Sequence, residues 1–311
     1  MAAKRVRTRS RKAKNAAVEG LEAIEVIGSS LTGAILDGKY RLGERIGAGG
    51  AAAVYRATRI ADGQPAAVKV LRPRPGRDDE KPRRRAEEER RLATRVAHPG
   101  AVTILDGGIT DSGIEWIAME LLEGRTLADE LAGGRRLPLA RSAALLLPVC
   151  DVLAEAHAAG IVHRDVKPAN IFLHAGPGGE VVKLLDFGIS ALVLDGDSEL
   201  TGTAHTRFTG TPVYMSPERL LGKRSDHRAD VYALAMTLYE TLAGMLPFRP
   251  TDGGLGAIIV ACVSDEPHSL RAVRPDVPAP LSDAIMRALK KRPVERPPLQ
   301  ELAAALAAIK P

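Results

Sequence analysis

The sequence predicts an α+β protein in which a short run of strands gives way to a larger helical half. Three observations carry that prediction. YRLGERIGAGGAAAVYRATRI, AAVKVL and the pair AVTILDGGIT and IEWIAMELL all concentrate apolar residues over strand lengths before residue 123. Beyond it, residues 142–160 and 233–248 are apolar over helical lengths but carry Asp151, Glu155, His157 and Glu240. They are therefore expected to be buried helices and not membrane spans. A chain of 311 residues with 45% hydrophobic content is also long enough for one large domain or two ordinary ones.

At the start of the chain, residues 1 to about 20 are rich in Arg, Lys and Ala without apolar periodicity, which predicts disorder; no apolar run follows to make a secretory signal. Lys4, Arg5, Arg7, Arg9, Arg11, Lys12 and Lys14 all precede the first acid, Glu19. Removing these seven charges from the formal net +6 leaves about −1 for the remainder. The basicity belongs to the tail, so a nucleic-acid-binding core is not indicated, and any contact with nucleic acid, an anionic surface or an acidic partner is expected from the tail alone. Cys150 and Cys262 lie far apart inside apolar runs. They predict buried free thiols in a reducing compartment, with no disulfide and no metal site.

Ordered structure is expected from about Leu36. The first stretch reads as strand, Gly-rich turn, strand, with Ile46 and Val54 on either side; Gly47, Gly49 and Gly50 let the backbone approach a ligand and turn amides toward phosphate oxygens. AAVKVL is an apolar strand with one charge in its middle, Lys69, which requires an anionic partner. Residues 72–85, dense in Arg, Pro and Asp, read as a connection. RRAEEERRLATRVAHPG reads as a helix ending before Pro99, and Glu87, Glu88 and Glu89 are its candidates for pairing with Lys69. AVTILDGGIT and IEWIAMELL make the next strand pair, with Met119 a core filler by its chemistry. GRTLADELA opens a helix with Thr126 as its N-cap. His98 and His157 read as packed histidines, and ELAAALAAIK as a closing amphipathic helix.

The chemistry concentrates in IVHRDVKPANIF, residues 161–172, and LLDFGIS, residues 184–190. Pro168 keeps Asp165, Lys167 and Asn170 off a regular helical face. An Asp on such a loop can accept a proton from an alcohol, a Lys can neutralise developing negative charge, and an Asn oxygen can hold a hard cation. Asp186, followed by Phe187 and Gly188, adds a second carboxylate. Metal-assisted transfer of a phosphoryl group requires this set.

HRDVKPAN followed by DFG, and then GTPVYMSPE at 210–218, resembles the catalytic core of the protein kinase family. The resemblance extends over about residues 36–308 and implies a bilobal fold. A small antiparallel β-sheet lobe with one main helix would occupy about 36–122 and a larger, mainly α-helical lobe about 123–308, after a basic tail of 1–35. It implies that ATP is bound by Ile46, Gly47, Ala48, Gly49, Gly50 and Val54 of the glycine loop and by Ala67 beside it. Lys69 would take the α and β phosphates, steadied by Glu89, the glutamate selected by counting back from His98–Pro99. Met119 becomes the gatekeeper, the backbone of Glu120 and Leu122 meets adenine, and Thr126 falls where the family often contacts ribose. Asp165 becomes the proton acceptor, Lys167 offsets charge on the transferred group, and Asn170 and Asp186 hold Mg²⁺.

The same resemblance makes His163 structural, bonded to backbone near Asp186. Arg164 becomes a receptor for a phosphorylated hydroxyl, Thr203 or Thr206 ahead of Thr201 and Thr209. Glu218 is expected to pair with Arg296, and Asp230 to brace the catalytic loop. Lys167 and Thr211 are typical of Ser/Thr kinases. YRLGERIGAGG and ETLAGMLPF look like the bacterial, eukaryotic-like branch. Two departures are Ala52, where the family has its third loop glycine, and Ala235, where it usually has a glycine. The expected protein is a cytoplasmic, ATP-dependent Ser/Thr protein kinase acting on protein hydroxyls and on its own activation loop, self-associating to do so. A pseudokinase, favoured only by Ala52, and a small-molecule phosphotransferase, disfavoured by GTPVYMSPE with Arg296, are the alternatives.

Overall fold

The computed structural model describes residues 31–49, 52–71, 96, 98–186, 212–248 and 254–310. They form two compact units, one from residues up to 122 without 95–102, the other from 95–102 with 123 onward.

The first unit is an antiparallel sheet of six strands: β1 (Ile35–Leu36), β2 (Tyr40–Ala48), β3 (Ala52–Arg59), β4 (Pro65–Leu71), β5 (Ile104–Ile109) and β6 (Glu115–Met119), in the order β1-β2-β3-β4-β6-β5. Alternation along β2 and β3 puts Tyr40, Leu42, Ala53, Tyr55 and Ala57 inside, where they meet Val68, Val70 and Trp116. Trp116 packs against Tyr40 at 5.4 Å between ring centres, and its indole N–H donates to Asp37 at 2.8 Å. A buried indole thereby keeps a partner. Among the described residues, packing already includes Leu31, ahead of the expected Leu36: Leu31 is buried and Gly33 N–H donates to Leu42 O at 2.8 Å. The helix expected before Pro99 lies outside the described residues.

The second unit opens with a feature that the sequence reading did not anticipate. Directly ahead of the helix for which Thr126 is the expected N-cap, Gly124–Thr126 is a strand, β7. It pairs with β8 (Ile171–Gly176), which pairs with β9 (Gly179–Leu184). Gly124 has φ 140°, and a Cβ there would lie 2.0 Å from Leu173 O, so only glycine allows this approach. Thr126 then caps the short helix α1 (Leu127–Glu130) through a capping box with Asp129.

Helix α2 (Leu139–Ala158) buries Leu145, Leu146, Val149, Val152 and Leu153. It is followed by α3 (Pro217–Leu220), α4 (Arg228–Ala243), α5 (Leu255–Ser264), α6 (Leu270–Val273), α7 (Ala279–Ala288) and α8 (Leu299–Ala307). Almost all of α4 is buried, as its apolar run predicts, but it stops at Ala243 and not at Phe248. Gly244 ends it in the left-handed region, φ 72°, against the backbone of Gly134. Among the described residues, no helix is long and apolar enough to cross a membrane.

Candidate active site

Asp165 and its neighbours come together in the second unit on the loop between α2 and β8. Lys167 Nζ donates to both carboxylate oxygens of Asp165, at 2.8 and 2.7 Å. Asn170, on a single 3₁₀ turn begun by Pro168, donates its amide N–H to Asp165 O and to Asp165 Oδ2, each at 2.8 Å. Pro168 starts that turn because its ring presets φ and its missing N–H is not needed there. The side chain of Asp165 remains about one-third exposed (33%), so its carboxylate is braced by a cation and an amide while still reachable.

Asp186 is tied to the same loop through backbone. Leu185 N–H donates to Asn170 O at 2.8 Å, and Ile171 faces Leu184 in the β8–β9 ladder. Asp186 itself has φ 62°, a left-handed conformation that a non-glycine residue adopts only under constraint. With its NH₂ committed to Asp165, Asn170 presents its amide oxygen as the remaining ligand atom. An amide oxygen and a carboxylate are hard donors suited to Mg²⁺, which keeps waters and substrate oxygens for its other positions. Among the described residues, no group of three or more His, Cys, Asp or Glu side chains could hold a metal alone. The Asn170 and Asp186 oxygens thus fit a metal that takes its remaining ligands from a phosphorylated substrate.

The loop is braced from beneath by Asp230, fully buried on the first turn of α4. Its carboxylate accepts from His163 N at 2.8 Å, from Arg164 N at 2.7 Å and from His157 Nε2 at 2.8 Å. Burial pushes the Asp230 carboxyl up, and the His157 hydrogen bond, the nearby histidines and the Arg164 amide pull it below the ordinary carboxylate value. His157 is thus a structural partner. So is His163: its Nδ1 accepts from Asp165 N–H at 3.2 Å, which leaves Nε2 to carry the proton donated to Leu185 O at 2.8 Å. That tautomer cannot serve as a base toward substrate. His98 also packs, its Nδ1 accepting from Gly100 N–H at 3.0 Å.

Glu218 and Arg296 form the expected pair, bidentate at 2.8 and 2.7 Å, with side chains 8% and 0% exposed. Arg219, next in the chain, donates to the Arg164 carbonyl. The sequence reading missed Arg219. An Arg near the end of a short helix gives no signal that separates it from a surface charge.

In the first unit, Lys69 lies on β4 opposite Val54 and Ile117. Ala67 is buried beside Met119, which is itself buried. Glu120 N–H donates to Thr103 O at 2.9 Å and its carboxylate accepts from Thr103 N at 2.8 Å, so its amide is engaged within the unit. In the glycine loop, Gly47 pairs with Val54 and Ala48 with Ala53, and Ile46 is exposed. The Gly49 amide, expected to face phosphate, instead donates to Ala52 O at 2.9 Å across the hairpin. Ala52 is buried in β3 without left-handed backbone, so its methyl is accommodated. Gly50, Glu89, Phe187, Gly188, Thr211 and the candidate phosphorylation sites Thr201, Thr203, Thr206 and Thr209 lie outside the described residues.

Residues 40–305 match the protein kinase domain family. Serine/threonine-protein kinase pkn3 of Myxococcus xanthus is 37% identical over 265 residues, 83% of this chain and 47% of that protein. Serine/threonine-protein kinase Pkn1 of the same organism is 40% identical over 262 residues, 83% of this chain and 36% of that protein. The chain spans less than half the length of these two relatives. Among solved structures, the Mycobacterium tuberculosis PknI kinase domain superposes with a TM-score of 0.69 at 30% identity, covering 90% of this chain and 99% of that one.

Proposed function

The chain belongs to the protein kinase domain family, among bacterial Ser/Thr kinases of the eukaryotic-like kind, and from that premise we propose that it transfers the γ-phosphoryl group of Mg·ATP to Ser or Thr hydroxyls of proteins. The observation that carries this reading is the Asp165 carboxylate with Lys167 and Asn170 on its two oxygens. Asp165 accepts or orients the proton of the acceptor hydroxyl, and Lys167, already within hydrogen-bond reach, offsets negative charge that builds on the transferred group. Asn170 and Asp186 would hold Mg²⁺, which supplies charge neutralisation to the phosphates.

Lys69 and the glycine loop bind the nucleotide phosphates in this reading, with Glu89 steadying Lys69. Ile46, Val54, Ala67 and Met119 form the apolar surroundings of the base, the backbone of Glu120 and Leu122 receives it, and Thr126 adjoins the ribose. Gly49 supports a ligand there: a Cβ at that position meets no described atom within 4 Å, and its backbone is not left-handed. Among the described residues, packing thus gives no reason for glycine, whereas close approach of a phosphate would. Arg164 is the receptor for a phosphothreonine between 186 and 218, placed there by a second copy of the chain, and the setting is cytoplasmic.

Incubation with γ-labelled ATP, Mg²⁺ and a generic basic protein tests the reading, with Asp165→Asn and Asp186→Asn as controls. Label on Ser or Thr of the acceptor from the unsubstituted chain alone is expected. Nucleotide binding without turnover in all three would leave only the pseudokinase.

A further inference from the structure

The peptide unit joining Arg164 to Asp165 is held at both of its polar ends. Its N–H, on Asp165, donates to His163 Nδ1 at 3.2 Å. Its carbonyl, on Arg164, accepts from Nη1 of Arg219. The two preceding amides, His163 N and Arg164 N, are both taken by the buried Asp230. Arg164 meanwhile has φ 68°, in the left-handed region where an L side chain crowds its own backbone. A conformation of that kind persists only where the surroundings over-determine it.

The plane of the 164–165 peptide is the last rotation before the Asp165 side chain. A change in ψ of Arg164 would turn this plane and carry the Asp165 side chain away from Lys167 and Asn170, while leaving in place the two amides that Asp230 holds. Asp230 fixes the amide side of the loop, and Arg219 reaches the carbonyl side. Arg219 is itself held in place. It follows Glu218, which is pinned by two hydrogen bonds to the fully buried Arg296.

We infer that Arg219 is a positioning residue for phosphoryl transfer: its hydrogen bond to the Arg164 carbonyl fixes the peptide plane that aims the Asp165 carboxylate. The inference rests on the reading of Asp165 as the proton acceptor. It acts through backbone, so its effect falls on the chemical step and not on nucleotide affinity.

The test is steady-state transfer by the full chain, comparing wild type, Arg219→Met, Arg219→Lys and Asp165→Asn at phosphate contents matched by intact mass. Methionine keeps most of the packing stem and removes every donor, while lysine restores one donor on a shorter reach. Arg219→Met is expected to lower kcat about ten- to a hundred-fold, as misaligned catalytic groups do. KM for ATP should stay within about twofold, and Arg219→Lys should recover part of kcat. A kcat at the wild-type level in Arg219→Met overturns the inference, as does a lowered kcat matched by a raised KM with no recovery in Arg219→Lys. Should the methionine variant not fold, Arg219→Lys decides: an intermediate kcat with unchanged KM sustains the inference, and wild-type kcat sinks it. If wild type transfers no more than Asp165→Asn, the kinase reading falls and takes this inference with it.

Discussion

Arg296→Met removes one half of a buried ion pair and leaves the rest of the second unit as it is. The guanidinium donates to both Glu218 oxygens at 2.8 and 2.7 Å, and to the carbonyls of Lys290, Arg228 and Lys291 at 2.9, 3.0 and 3.1 Å. With the Arg296 side chain wholly buried and that of Glu218 8% exposed, water cannot replace those bonds. Stranding a buried charge costs about 3–5 kcal/mol. At about 2–4 °C per kcal/mol for a unit of this size, thermal unfolding should drop by roughly 6–20 °C.

The pH dependence follows from the same geometry. Burial pushes the Glu218 carboxyl up, and the hydrogen bonds and charge of Arg296 more than offset this, holding it below the ordinary value of 4.5. A depressed folded value means that the pair's contribution is complete above the ordinary carboxyl range and fades as pH falls through the folded value. Without Arg296 the two largest influences that hold the Glu218 carboxyl down are gone, leaving only its backbone and Ser216 hydrogen bonds against burial, the largest influence of all; its carboxyl rises, and the variant regains stability on acidification. Urea unfolding at pH 7 and near pH 4 should therefore show the gap between wild type and variant narrowing. A loss below about 1 kcal/mol at pH 7, or a gap that does not change with pH, would refute the assignment of this pair as a buried clamp.

Three further outcomes are expected. Gly49→Ala should leave unfolding within about 0.5 kcal/mol of wild type, because no described atom crowds the new methyl. It should weaken binding of a fluorescent ATP analogue, and an unchanged affinity would remove Gly49 from the nucleotide site. Asp230→Asn leaves one amide oxygen for the His163 and Arg164 N–H groups, so at least one buried donor loses its partner. The cost should be about 1–3 kcal/mol in urea unfolding, together with slower transfer; wild-type stability would contradict the bracing role. Burial pushes the Cys150 and Cys262 thiols up to about 12 and about 11. Native protein at pH 8 should thus resist iodoacetamide at both, with labelling seen by mass spectrometry only in denaturant, and rapid native labelling of either would show it exposed.

What the sequence made legible were the positions whose chemistry demanded a partner. Asp230 and the pairing of Glu218 with Arg296 were assigned through the protein kinase resemblance, and the structure supplies the physical reason, since each of these charges buried alone would be intolerable. Positions whose role lies in backbone geometry were not legible. The β7–β9 sheet was passed over although IFLHAG and GEVVKL flank a Pro177–Gly178 turn, a hairpin signal overshadowed by the motifs beside it. The N-cap role of Thr126 was legible from the helix-forming LADEL that follows it, but the strand GRT was not, because the contact that defines it, Gly124 against Leu173 O, is 49 residues away in sequence. The Gly49 amide bond to Ala52 O escaped notice because glycine spacing reports flexibility and not which groups are spent.

The division of labour among the second unit's aspartates follows from their surroundings. Asp230 is sealed from solvent and ringed by N–H donors, so its negative charge is permanently spent on holding backbone. Asp165 sits one-third exposed, its oxygens met by Lys167 and Asn170, which in the proposed reaction would yield or share them with an acceptor hydroxyl. A carboxylate with the environment of Asp230 could not exchange partners without exposing buried amides, and one with the environment of Asp165 could not hold the loop rigid. The two roles therefore need two residues, and they are joined through the 163–165 backbone, where a change at either carboxylate reaches the other as a change in loop geometry. Asp165→Asn and Asp230→Asn should therefore separate in the assay: the first abolishes transfer with the smaller loss of stability, and the second lowers stability and transfer together.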